Sequence, residues 1–292
     1  MEDWMTKGFT LCEEGGRKFL LLQGPWTDGI GSFMRPRKID GLRLSAYAGW
    51  NEQSIDFLKS LPFLARLDLW TAKIRDLSPL YTLPKLRALS LNGVSKKIDF
   101  TKIQGLEDLH LSQWREARFN SIFECKMIKN LAVTGYSGVD FKPFTRIATL
   151  TNLAMSFSKL LSLEGAAALP ALVRLSLAST NQIDTLNGIQ TCNKLLLLWV
   201  ESARKLRNLG AISSIRSLRT LNLSDCPSLE SIKPMARLPE LEAVWFYGST
   251  NIHDGDLSPL TTLPKLKYAK FVDREHYSHA NVIFPKSLPI FQ

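Results

Sequence analysis

The residues best suited to chemistry lie near the C-terminus, in the run Asp273-Arg274-Glu275-His276-Tyr277-Ser278-His279. His276 and His279, three positions apart, would share one face of a helix, and Asp273 or Glu275 would supply a third ligand of the kind zinc accepts. His110 and His253 complete the four histidines of the chain. An isolated His-x-x-His lacks the fixed surroundings that make metal motifs specific, and an element closing the end of the fold accounts for the same residues. His253, Asp254 and Asp256 have the composition of a turn. No Gly-rich phosphate loop leads from a strand into a helix, since Gly29-Ile30-Gly31 reads as a turn, and there is no nucleophile elbow. The expectation is a chain with no catalytic residue, no metal and no cofactor.

The elements that position these residues come from a repeated phrase, Leu-x-x-Leu-x-Leu. Its last apolar residue falls at Leu44, Leu69, Leu91, Leu111, Val133, Met155, Leu177, Val200, Leu223, Phe246 and Phe271, at spacings of 20 to 25 residues. A period in the low twenties predicts a solenoid with one β-strand per coil. Pro62, Pro84, Pro170, Pro239 and Pro264 each sit seven residues before such a marker and follow a leucine. Proline continues neither a helix nor a ladder, so it marks the turn from the convex segment into the next strand. In Leu77-Ser78-Pro79-Leu80 and Leu257-Ser258-Pro259-Leu260 the serine reads as an N-cap and the proline as the first helical residue. Three residues after the marker, Ala72, Ser158, Thr180, Ala203, Cys226 and Ser249 are small, and stacked hydroxyls there are expected to satisfy backbone groups.

These residues resemble the leucine-rich repeat family. The stretch LPFLARLDLWTAKIRDLSPLYTLPKLRALSL, from Leu61 to Leu91, is similar to its bacterial, internalin-type subclass of about 22 residues per repeat. The resemblance covers roughly residues 40–272 and implies an α/β solenoid: a horseshoe or arc with about 11 parallel strands on the concave face and short helical or irregular convex segments. It also implies a protein-binding scaffold that uses that face. The chain departs from the subclass at the bend, where Ala72 and Ser158 replace asparagine, and in the irregular repeats around Val94 and Trp114.

Residues 1–39 lie outside the period and are expected to form an N-terminal cap, with a hairpin in which Lys18–Gln23 is followed by a return after Gly29 and Gly31. Residues 273–292 are expected to cap the other end, making one continuous domain. Stacking at about 4.8 Å per strand gives an arc of roughly 50 Å. The hydrophobic content of 45% supports a continuous core.

In a strand of period two, the neighbours of each marker face solvent. The middle coils carry Ala132, Thr134, Ala154, Ser156, Ser176 and Ala178, all small. Toward the C-terminus Trp199, Glu201, Asn222, Trp245, Tyr247, Tyr268 and Lys270 gather; toward the N-terminus sit Arg43, Asp68, Trp70 and His110. Tryptophan and tyrosine are enriched at energetic hot spots, so these two groups are the candidate contacts with a protein partner.

The net charge of +10 arises from 37 basic and 27 acidic residues spread evenly along the chain, which argues for solubility and against a dedicated nucleic-acid groove. One cluster, Lys73, Arg75, Lys96, Lys97, Arg115 and Arg118, is expected to form a basic rim interleaved with Asp76, Asp99 and Glu116. Cys12, Cys125, Cys192 and Cys226 have neither paired nor metal spacing and read as free thiols in a reducing compartment. Met1-Glu2-Asp3-Trp4 opens without the basic and apolar regions of a signal peptide, and no window approaches a membrane span, so the expected location is the cytoplasm. The combined expectation is a scaffold that occludes its partner, as an inhibitor or immunity-type protein does. An effector binding a host protein, or binding of nucleic acid or an acidic surface at the rim, stands as the alternative. The pattern is silent on oligomeric state.

Overall fold

The leucine phrase folds as its period demands. A computed structural model describes residues 8–278. Among the described residues, 8–133 and 134–278 form two compact units. In the first, β1 (Phe9–Glu14) and β2 (Arg17–Leu22) make an antiparallel hairpin. Parallel strands follow: β3 (Gly41–Ser45), β4 (Arg66–Trp70), β5 (Ala88–Asn92), β6 (Asp108–Leu111) and β7 (Asn130–Thr134). Each pairs with its sequence neighbour, from β2 through to β7. The second unit stacks β8 (Asn152–Ser156), β9 (Arg174–Ala178), β10 (Leu197–Glu201), β11 (Thr220–Asn222), β12 (Ala243–Phe246) and β13 (Tyr268–Phe271), again parallel and in chain order.

Every marker lies within a strand except Leu223, one residue beyond β11, whose N–H donates to the Trp245 carbonyl at 2.7 Å. In the first unit the markers and the residues two before them, Leu42, Leu67, Leu89, Leu109 and Leu131, are buried. Leu153, Leu175, Leu198, Leu221 and Val244 repeat the arrangement in the second unit. The convex returns are mostly 3₁₀ turns, such as Ser78–Thr82, Lys142–Arg146 and Lys233–Arg237. Each of the five Leu-Pro prolines falls two or three residues after such a turn ends, where the chain swings into the next strand.

The bend after each strand from β5 to β12 carries a feature that apolar counting does not reveal. Two residues past the marker the backbone is left-handed, at Gly93 and Gln113 in the first unit and at Gly135, Phe157, Ser179, Ser202, Asp225 and Gly248 in the second. At five of these bends the twist aims the N–H at the carbonyl one coil ahead: Gly135 to Ser156, Phe157 to Ala178, Ser179 to Glu201, Ser202 to Ser224 and Asp225 to Tyr247, at 2.8 to 3.0 Å. A ladder of hydrogen bonds thus continues past the strand ends. Non-glycine residues tolerate left-handed φ at a cost, which the gained bond offsets.

Three local expectations are corrected. The hairpin turns at Gly15-Gly16, with φ of +56° and +73°, as a two-residue turn with both φ positive requires. Gly29 and Gly31 lie inside helix α1 (Asp28–Met34) and form no turn. In the Ser-Pro segments serine is the first residue of the turn, not its cap: the side chains of Asp76 and Asp256 accept the N–H of Ser78 and Ser258 at 2.9 and 3.0 Å. Asp140, Asn208 and Ser231 repeat this at Lys142, Gly210 and Lys233. The predicted hydroxyl stack holds only in part. Among the described residues the buried Ser158 and Thr180 hydroxyls have no partner, and at the last bend it is Thr250, next to the expected Ser249, that accepts from Cys226 N–H and donates to the Leu223 carbonyl. The irregular repeat at Trp114 substitutes an aromatic cluster for leucine, with the buried indole 5.9 Å from both Phe119 and Phe123.

Leu177 is fully buried in β9, so Leu177→Ala is expected to cost about 2–5 kcal/mol in chemical denaturation by opening a cavity. Gly188 has φ of +113° and its missing Cβ would press on the Leu163 carbonyl. Gly188→Ala is expected to destabilise by more than about 1 kcal/mol in the same measurement.

Candidate partner-binding site

The register of four strands assembles the C-terminal aromatic group. Trp199 on β10, Asn222 on β11, Trp245 on β12 and Lys270 on β13 stand in one row across the sheet. Asn222 is short, so the indoles on either side lean over it with ring centroids 6.3 Å apart, tilted by 36°. Tyr268 extends the group, 5.3 Å from Trp245. Asn222 was expected to face solvent; it is buried instead, donating to the Val200 carbonyl at 3.4 Å and accepting from the Ser224 hydroxyl at 2.7 Å. Burial beneath two rings is affordable because its amide is bonded on both sides.

Polar groups hold the shelf in place. The Trp199 indole N–H donates to Glu201 Oε2 at 2.8 Å, which fixes the ring's rotation. Tyr247, 49% exposed, lies under Lys270, whose Nζ is 4.7 Å from the ring centroid. On the other flank the row of Trp199 continues into Ser176 and Ala154 on β9 and β8, so the surface steps down from aromatic rings to small side chains. The result is a rigid aromatic ledge beside a shallow, low-relief strip. Its side chains are ordered before any partner arrives, which lowers the entropy lost on association.

The N-terminal group is organised differently. Arg43 donates to Asp68 at 2.8 Å and to both Glu14 carboxylate oxygens at 3.1 and 3.2 Å. Its guanidinium is sandwiched between the rings of Phe19 and Trp70, 4.4 and 4.5 Å from their centroids. Burial opposes the Arg43 charge, but Glu14 and Asp68 outweigh it and raise its pKa. The hydrogen bond from Arg43 holds Glu14 below its ordinary value. Asp68, expected on the solvent face, is buried under Arg43 and Arg66. Trp70 donates to Ser90 Oγ at 3.0 Å. Arg43, Asp68 and Trp70 therefore form a network that fastens the hairpin to the strands, with their bonding capacity largely spent inside the chain. His110 projects from β6, its pKa lowered by desolvation against a smaller opposing effect of Asp68.

Of the basic rim, Lys73, Arg75, Lys96, Lys97 and Arg115 are exposed, and Arg118 is half-buried. Arg115 and Arg118 donate to the Trp114 and Val94 carbonyls at 3.3 Å, and Lys73 to Asn51 at 2.8 Å. His276 Nε2 lies 3.0 Å from the Ile252 carbonyl and Tyr277 OH accepts the Ile252 N–H at 3.0 Å, so this segment packs against the preceding coil. His279 lies outside the described residues. Among those residues no group of three or more His, Cys, Asp or Glu could hold a metal, and no helix is long and apolar enough to cross a membrane. The sequence reading passed over Phe157, 69% exposed on a left-handed bend. Its signal was available: an apolar residue at a bend position where other coils carry Gly, Gln, Ser or Asp.

No family model and no curated protein matches the chain. Solved structures do. It is similar to the internalin InlF of Listeria monocytogenes at 22% identity, over 76% of this chain and 72% of that one, with a TM-score of 0.59. The functional domain of InlJ from Listeria monocytogenes is 16% identical over 80% of this chain and 54% of that one, TM-score 0.50. The mouse RP105/MD-1 complex gives 17% identity over 80% of this chain, 43% of that one and a TM-score of 0.60. The chain thus spans about half or less of the last two. These likenesses establish the leucine-rich repeat fold.

Two outcomes follow from the groups described. Because Glu14 has a lowered pKa, its contribution is present above its ordinary value of 4.5 and lost as the pH falls below that toward the folded value. Amide protection in β1 and β2, corrected for the intrinsic exchange rate at each pH, is expected to fall between pH 5 and about 3 before protection in β9 and β10, and Glu14→Gln is expected to show the lower protection already at pH 6. Burial raises the thiols of Cys125 and Cys192 to about 11 and of Cys226 to about 12, whereas Cys12 is partly exposed. A thiol reagent at pH 8 is expected to modify Cys12 alone in the native protein and all four cysteines in denaturant.

Proposed function

We propose that this leucine-rich repeat solenoid is a non-catalytic scaffold that binds another protein on the solvent face of its sheet, with Trp199, Trp245 and Tyr268 at the centre of the contact. The observation that carries the reading is the pre-ordered aromatic ledge over Asn222, flanked by Glu201 and by Lys270 on Tyr247. Aromatic side chains bring large contact area at low entropic cost, and a partner that covers these rings excludes water from them. The small strip at Ser176 and Ala154 gives a protruding loop or helix room to approach the backbone. A protein-binding role is in keeping with the fold's presence in the RP105/MD-1 complex.

The finer reading is an inhibitor or immunity-type protein acting in the cytoplasm, which neutralises a toxin or enzyme by covering its active surface. A broad sheet face suits occlusion better than turnover, and three buried free thiols suit a reducing compartment. Of the two groups marked in the sequence, the C-terminal one is the stronger contact, because Arg43, Asp68 and Trp70 are already satisfied within the chain.

The test compares wild type with Trp199→Ala/Trp245→Ala as bait in lysate of the native organism, with captured proteins identified by mass spectrometry. The expected outcome is one stoichiometric protein held by wild type and lost from the variant, with affinity reduced at least about 30-fold per ring in a purified titration. The variant is expected to keep a cooperative melt. Equal capture by both proteins would move the contact away from the ledge, and a lost melt would make the rings structural.

A further inference from the structure

A hollow of about 690 Å³ opens in the first unit at the entry ends of strands β2 to β6. It is lined by the row Phe19, Gly41, Arg66, Ala88 and Asp108, one residue from each strand. Gly41 has no room for a side chain: a Cβ there would stand 2.7 Å from that of Phe19. Ala65 and Ala88 add only methyl groups.

Cations surround this opening. Arg17 and Lys18 come from the hairpin, Arg37 and Lys38 from the segment after α1, and Arg66 and Arg87 from the starts of successive coils. The carboxylates are Asp40, Glu107 and Asp108. Two of them are already engaged, Glu107 by Lys129 at 2.8 Å and Asp108 by Asn130. Arg87 is held by the carbonyls of Pro84, Leu86 and Gln104, and Arg66 lies 3.7 Å from both Glu14 and Asp68. Among the described residues Arg17, Lys18 and Lys38 make no ion pair. Three unneutralised cations therefore converge on a concavity whose volume is in the range of small-molecule sites.

We propose that this hollow binds a small ligand bearing phosphate groups. Convergent cations compensate the charge of such a ligand, and guanidinium forks match two phosphate oxygens at once. The bounded volume favours a small ligand over an acidic peptide, which would track along an open groove. This site is independent of the protein-binding reading, because it lies on other strands and uses other residues.

The test is calorimetric titration of the full chain with inorganic pyrophosphate at 50 and 150 mM NaCl. Arg17→Ala/Lys38→Ala removes two exposed cations of the hollow, and Lys96→Ala/Lys97→Ala removes the same charge from the rim. The expected result is saturable binding at one site, weakened about tenfold or more by the hollow variant and less than about twofold by the rim variant, with unchanged melts for both. Absence of saturable binding, or equal weakening by the two variants, would overturn the proposal. So would tighter binding of hexaglutamate than of pyrophosphate, which would make the hollow an acidic-peptide site.

Discussion

A coil of this chain has one layer of leucines and no opposing layer to bury it against. Each coil must borrow its core from the coil before and the coil after, and that dependence organises the rest of the molecule. Within each unit Leu42 to Leu131 and Leu153 to Val244 are buried only because the next strand lies in register beside them. The strands are short, so side-chain stacking and backbone ladders have to be satisfied in the same few residues. The left-handed residue after each of β7 to β11 extends the ladder by one more bond and lets the chain leave the sheet without losing contact with the next coil. Asp76, Asp140, Asn208 and Ser231 do the matching task before four of the convex turns, each capturing an N–H that would otherwise be unpaired.

Such a fold has a problem at its first strand, where no preceding coil exists. The hairpin β1–β2 covers that edge, and it is fastened by charge as well as by apolar contact. Arg43 is the pivot of that arrangement. Its two ion pairs compensate the desolvation of a half-buried guanidinium, and the rings of Phe19 and Trp70 hold it flat between them. The same hairpin brings Arg17 and Lys18 to the hollow at the strand entries, so capping the sheet and assembling a cationic concavity are consequences of one element.

The two groups of exposed-looking residues in the sequence thus have different fates. Arg43 and Asp68 bond to each other with the Trp70 ring against the guanidinium, whereas Trp199, Trp245 and Tyr268 pack ring to ring and stay half-exposed. The difference lies in chemistry. A carboxylate and a guanidinium on neighbouring strands can complete their bonding together and be covered. An indole has one N–H, which Glu201 takes, and its faces are left for contact.

The leucine period by itself determined the solenoid, the position of the strands and the direction of the prolines' turns, because hydrophobic burial in a repeating coil leaves a single residue class at each inward position. The aromatic column was legible for the same reason: Trp199, Trp245 and Tyr247 occupy positions adjacent to markers, and period two places them outward. Other features needed the tertiary structure. The burial of Asp68 and Asn222 depends on which side chains flank them across strands, a relation that a single repeat does not contain. The Gly15-Gly16 turn and helix α1 lie outside the period, where no neighbouring coil supplies a template. The left-handed bends escaped because glycine, glutamine, phenylalanine, serine and aspartate all occupy them; at the five after β7 to β11 a hydrogen bond to the next coil, not the identity of the side chain, holds the conformation. Periodic burial can be read from one dimension, whereas charge pairing and concavity arise only when distant segments meet.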